Sequence, residues 1–223
     1  MKIVSIVGAR PQFVKLKPVA AALHDRDVEH LVIHTGQHYD ADMSDIFFEG
    51  LSLPSVHMNL EVGSGSQRKQ TGETLMRVEA SLVDLQPDWV VVYGDTKATL
   101  AGALAAAKLG YRLAHVEAGL RSWNRSMPEE INRVLTDHAA DLLFAPTELA
   151  MGNLHAEGLA ERAHLVGDVM ADLLLQRKEE LPRIEIPGLT DQGNGFLAAI
   201  IHRASNTDDE QQLRLLVSAL ASL

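Results

Sequence analysis

Short runs of β-branched and aliphatic residues alternate along the chain with longer stretches whose apolar positions recur every three or four residues. Lys2–Val7, Leu31–Thr35, Ser55–Leu60, Trp89–Tyr93, Leu113–Val116, Leu142–Ala145 and His164–Val166 read as strands, each followed by a candidate helix. Trp89-Val90-Val91-Val92 is apolar at every position rather than at alternate ones, as a strand covered on both faces of a parallel sheet must be. The pattern predicts a three-layer α/β domain with right-handed crossovers. Leu75, Val78, Leu82 and Leu85 recur at helical spacing as a core stripe, and the small residues of Ala98–Ala107 let a helix lie close to the sheet. Pro18 interrupts the first helical stretch and predicts a kink there or a delayed start.

The character of the chain changes late. Residues 1–176 read as one complete Rossmann-like domain. Residues 177–195 are charged and then carry Pro182, Pro187, Gly188, Gly193 and Gly195, the composition of a hinge. Residues 196–223 begin again with an apolar strand, Phe196–Ile201, and a helix from Asp208. One strand and one helix enclose no core, so the second domain is expected to be only begun here, missing from this chain or supplied by another.

Charge narrows the partners. Thirty acidic residues against 20 basic ones leave a net charge of -10, which argues against a nucleic-acid partner, whose phosphates need clustered Lys and Arg. The chain has no Cys, which removes disulfides, thiolate nucleophiles and Cys-ligated zinc. No run is long enough to span a bilayer and the N-terminus lacks a signal-peptide pattern, so no membrane partner and a cytoplasmic location are expected.

In a doubly wound sheet, ligands bind beyond the carboxyl ends of the strands. There the sequence places Gly8-Ala9-Arg10-Pro11 with Lys15, then Gly36-Gln37-His38-Tyr39, Gly94-Asp95-Thr96, His115 to Arg121, Pro128 to Arg133, and His202-Arg203. Two cations at the first helix N-terminus suit a diphosphate, and the gathered carboxylates suit acid–base work on a charged substrate. Each residue also has a structural reading. Asp95 or Thr96 serves equally as a helix N-cap, Glu129 and Glu130 complement a helix dipole, His202 is an ordinary buried histidine, and Arg121 and Arg133 are salt-bridge residues.

Gly8-Ala9-Arg10-Pro11-Gln12-Phe13-Val14-Lys15, Gly94-Asp95-Thr96, His115–Arg121, Pro128-Glu129-Glu130-Ile131-Asn132-Arg133 and Ala145-Pro146-Thr147-Glu148 resemble the non-hydrolysing UDP-N-acetylglucosamine 2-epimerases. Gln12-Phe13, the Gly36–Asp40 loop, Met43-Ser44-Asp45 and Gln70-Thr71-Gly72 look most like members acting on UDP-N-acetylglucosamine or on the 2,3-diacetamido uronic acid sugar of surface polysaccharides. The resemblance implies a GT-B-like pair of Rossmann-like domains and epimerisation at C2 by elimination and re-addition of UDP through a 2-acetamidoglucal. It implies catalytic roles for Asp95, Glu117, Glu129 and His202, and substrate contacts from Arg10, Lys15, Gln37, His38, Gln70, Arg121 and Arg133. It implies no metal and no cofactor, a UDP-sugar substrate and a homodimer.

The chain departs from the family pattern at Ser205, where a carboxylate is expected, and at Gln67-Arg68, where His-Gly is expected. With the second domain only begun, this chain is expected to be inactive alone. Two alternatives stand beside the epimerase: a non-catalytic sugar-nucleotide-binding or interaction module, and a GT-B glycosyltransferase.

Overall fold

The computed structural model describes residues 1–36, 53–63, 65–179, 198–201 and 204–222. The chain divides into two compact units, Met1–Glu180 and Leu181–Leu223. In the first, strands β1 (Lys2–Val7), β2 (Glu29–His34), β3 (Met58–Asn59), β4 (Trp89–Tyr93), β5 (Arg112–Val116), β6 (Leu142–Ala145) and β7 (Ala163–Leu165) form one sheet in the order β3-β2-β1-β4-β5-β6-β7. Every pairing is parallel. Helices α1 (Arg10–His24), α2 (Gln67–Leu85), α3 (Lys97–Leu109), α4 (Pro128–Ala139), α5 (Glu148–Ala156) and α6 (Val169–Arg177) connect and cover it. This is the expected Rossmann-like α/β architecture, and the strand order reverses between β1 and β4, where such sheets open a crevice.

Both faces of the sheet are dry. Val4, Ile6, Val90 and Val92 point to one side, against Val78, Leu82 and the alanines of α3, while Val7, Val91 and Tyr93 point to the other, against Phe13 and Leu16 of α1. Phe13 and Leu16 are 3% and 0% exposed, and burial of each contributes about 2 kcal/mol. The small residues of α3 allow the close approach the sequence implies: a Cβ on Gly102 would meet Ile6 Cδ1 at 2.9 Å. Thr96 caps α3 by accepting the Thr99 N–H, and Gly110 ends it with φ 77°. Asp95 is therefore not the cap.

Three local expectations change. Helix α1 starts at Arg10 and runs through Pro18, because buried Phe13, Leu16 and Ala20 hold it against the sheet and outweigh one missing N–H. The expected strand Ser55–Leu60 shortens to Met58–Asn59 at the sheet edge, although His57 N still donates to Val32 O and Leu60 N to His34 O. Ala198–Ile201 carry no strand in the second unit, and Phe196 and Leu197 lie outside the described residues. There, α7 (Ala204–Thr207) precedes α8 (Glu210–Ala221), which Asp209 caps through Gln211 N and Gln212 N.

Candidate active site

The crevice between β1 and β4 is built on a glutamine. Gln12, in the first turn of α1 and 1% exposed, accepts from the amides of Gly8 and Ala9 at 2.7 and 3.0 Å. Its own amide donates to Tyr93 O at 2.8 Å and Thr99 Oγ1 at 3.0 Å. The loop after β1 is thereby tied to the end of β4 and to α3. The amides of Gly8 and Ala9 at this end are therefore already occupied. Only the glutamine half of a capping box is present, because the N-cap residue is Ala9 and its methyl accepts nothing.

Lys15, 7% exposed, reaches over the end of β4 to Glu117, with Nζ 2.5 Å from Oε2. Gly94 makes room: its φ is 61°, and a Cβ there would stand 2.9 Å from Lys15 Nζ and 3.1 Å from Glu117 Oε2. Glu117 itself has φ 71°, a left-handed conformation that costs a non-glycine residue about 1 kcal/mol or more. The bend is held by the amides of Glu117 and Ala118, which both donate to Phe144 O at 3.1 and 3.0 Å. Two residues on, Gly119 has φ 81°, and a Cβ would lie 2.5 Å from the Ala150 carbonyl oxygen. Gly119→Ala is thus expected to destabilise the protein by about 2 kcal/mol or more, read as a lower urea midpoint.

Helix α4 closes the other side. Asn132 Nδ2 donates to Asp95 O at 2.8 Å, and Arg133 pairs through Nη2 with the Asp95 carboxylate. Residues three and four apart share a helix face, so the face turned to Asp95 also carries Glu129 in the preceding turn. Glu129 is exposed. Glu130 points elsewhere: it is 3% exposed and accepts from Ser122 N and Oγ and from Trp123 N, each at 2.9 Å, and from Arg133 at 3.2 Å. Of the adjacent pair, Glu130 holds the loop and Glu129 is exposed.

Beneath the crevice lies a buried ionic chain. Asp137, wholly buried, receives His115 Nδ1 at 2.6 Å on one oxygen, and Gly119 N at 3.0 Å and Arg121 Nη1 at 2.7 Å on the other. Arg121 continues to Glu157 through Nε and Nη2, both at 2.7 Å. Its side chain is fully buried and carries the salt bridges that are its structural reading. Burial pushes the Asp137 carboxyl up, but His115 and Arg121 outweigh that and hold it below its ordinary value. Burial likewise opposes ionisation of Glu130, and the Ser122 and Trp123 donors with Arg133 bring it below its ordinary value. Because both are depressed on folding, their contribution is complete above the unfolded values of about 4 and is lost as pH falls through the lower folded values. The urea midpoint is expected to stay level from neutral pH to about 5 and to drop steeply below about 4.

Gln70 is buried between Gly63 O, to which it donates at 2.7 Å, and the Lys97 ammonium. It supports the start of α3. Gln37, His38 and His202 lie outside the described residues. Among the described residues no group of three or more His, Asp or Glu stands where it could hold a metal, and no helix is long and apolar enough to cross a membrane.

A family model described as UDP-N-acetylglucosamine 2-epimerase matches residues 21–223. Over 222 residues and 98% of its length the chain is 50% identical to a UDP-N-acetylglucosamine 2-epimerase homolog of Methanococcus maripaludis. Over 226 residues and 99% of its length it is 47% identical to the UDP-2,3-diacetamido-2,3-dideoxy-D-glucuronate 2-epimerase of Pseudomonas aeruginosa. It spans 62% of the length of each. The crystal structure of the Methanocaldococcus jannaschii UDP-GlcNAc 2-epimerase in complex with UDP-GlcNAc and UDP is similar with a TM-score of 0.84 at 42% identity, over 100% of this chain and 62% of that one.

Proposed function

This chain belongs to the UDP-N-acetylglucosamine 2-epimerase family, and from that premise we propose that it carries the acid–base half of a site that inverts C2 of a UDP-N-acetylhexosamine. The observation that carries the reading is the meeting of Asp95, Glu117 and the Glu129 face of α4 around the β1/β4 crevice, with Lys15 and Arg133 paired to the first two.

The chemistry explains why several carboxylates are needed. The C2 proton is not next to a carbonyl and is too weakly acidic to remove directly. Breaking the anomeric C–O bond first develops oxocarbenium character at C1 and makes it removable. UDP leaves with the bond's electron pair, a carboxylate takes the C2 proton, and a C1–C2 double bond forms. UDP then adds back at C1 while a second group delivers a proton to the opposite face of C2. Atoms and electrons balance without an external oxidant or reductant. Asp95, Glu117 and Glu129 share the base, acid and charge-stabilising tasks. Arg10, Lys15 and Arg133 supply positive charge for the departing diphosphate. Gln37, His38 and His202 keep the substrate roles the resemblance implies, His202 assisting UDP departure.

The reading extends to a homodimer in the cytoplasm.

Bond cleavage is tested with UDP-N-acetylglucosamine carrying ¹⁸O at the sugar–phosphate bridge. The protein assayed is this chain joined to the part of the Methanocaldococcus jannaschii relative that it does not span. Migration of the label to the non-bridging β-phosphate oxygens is expected. Epimerisation with the label left in place would overturn the elimination route.

A further inference from the structure

His115 lies inside the molecule, not in the crevice. It is the fourth residue of β5, wholly buried, with its ring beneath the turn that follows β4. Its Nε2 lies 2.7 Å from the Gly94 carbonyl oxygen; a carbonyl only accepts, so this nitrogen carries a proton. Its Nδ1 meets Asp137, whose other oxygen takes the Gly119 amide. One imidazole therefore links the turn bearing Asp95 to a carboxylate that grips the chain two residues past Glu117.

Stability alone does not account for this. Gly94 N already donates to Val116 O at 2.9 Å, so the two strand ends are joined without the ring. Buried charges lose so much hydration that apolar packing of equal volume stabilises as well or better. What the ring adds is a fixed separation between two turns, each carrying a carboxylate.

We propose that His115 is a positioning residue that clamps the Gly94-Asp95 turn to the Glu117–Gly119 turn and so sets the spacing of the two carboxylates for proton transfer at C2. The inference rests on the epimerase reading. Inversion needs one group taking a proton on one face of C2 and another giving one on the other, so a small error in their separation slows the chemical step more than it weakens binding.

Two substitutions separate the ring nitrogens. The asparagine amide of H115N takes the place of Nδ1 and keeps the bond to Asp137, whereas the glutamine amide of H115Q takes the place of Nε2 and keeps the bond to Gly94. In the joined protein each substitution breaks one end of the clamp, so H115N and H115Q are both expected to lower kcat about 100-fold with KM within about threefold. The Gly119 amide, which donates to Asp137, reports the other end: its protection from hydrogen exchange is expected to fall in H115Q and persist in H115N. Parent-like kcat in either variant, a loss confined to KM, or rates that simply follow their urea midpoints would overturn the positioning role. If the unsubstituted protein exchanges no C2 proton, the epimerase reading fails; parent-like Gly119 protection in H115Q would mean that the ring does not hold Asp137 and removes the clamp itself.

Discussion

Glu117→Gln is expected to lower the rate of solvent-deuterium entry at C2 about a thousandfold, with little change in KM. Glutamine keeps the length of the side chain and an oxygen that can accept the Lys15 N–H now 2.5 Å from the carboxylate, so the crevice keeps its shape while the group can no longer exchange a proton. The strained φ of 71° remains as well, and the unfolding free energy from urea titration should change by no more than about 1 kcal/mol. A variant with near-parent exchange would make Glu117 a structural partner of Lys15 and remove it from the chemistry.

Asp137→Ala is expected to give a large loss of stability, about 3–5 kcal/mol. Asp137 is shared by His115, the Gly119 amide and Arg121, all within 3.0 Å. Removing it leaves donors without acceptors in a fully buried place, and Arg121 with Glu157 as its remaining carboxylate partner. Urea titration monitored by circular dichroism would show it. A loss under about 1 kcal/mol would mean that water or a local shift replaces the carboxylate.

Much of this was legible in the chain. Fully apolar strands such as Trp89–Tyr93 announced a parallel sheet buried on both faces, and the glycine, carboxylate and cation after each strand marked the crevice. What stayed hidden depends on which neighbour a side chain meets. Arg121 follows the site turn and reads as a ligand contact, yet Asp137 and Glu157, 16 and 36 residues further on, take all of its reach. Glu129 and Glu130 are indistinguishable by type, and only the fold shows that Glu130 is bound to Ser122 and Trp123 while Glu129 is exposed. His115 read as part of a motif rather than as a strut, because strand alternation shows that it is buried but not that Gly94 O lies above its ring. Pro18 stays within α1, where buried Phe13, Leu16 and Ala20 hold the helix to the sheet across the missing N–H.

The central claim is that these carboxylates move the C2 proton of a UDP-N-acetylhexosamine. The most direct measurement incubates UDP-N-acetylglucosamine, and separately its 2,3-diacetamido uronic acid counterpart, with the joined protein in deuterated water and follows C2 by NMR. The account predicts deuterium at C2 of at least one substrate, appearing with the manno epimer and abolished by Glu117→Gln. No deuterium in either sugar, under conditions where the Methanocaldococcus jannaschii protein exchanges its own substrate, would contradict it.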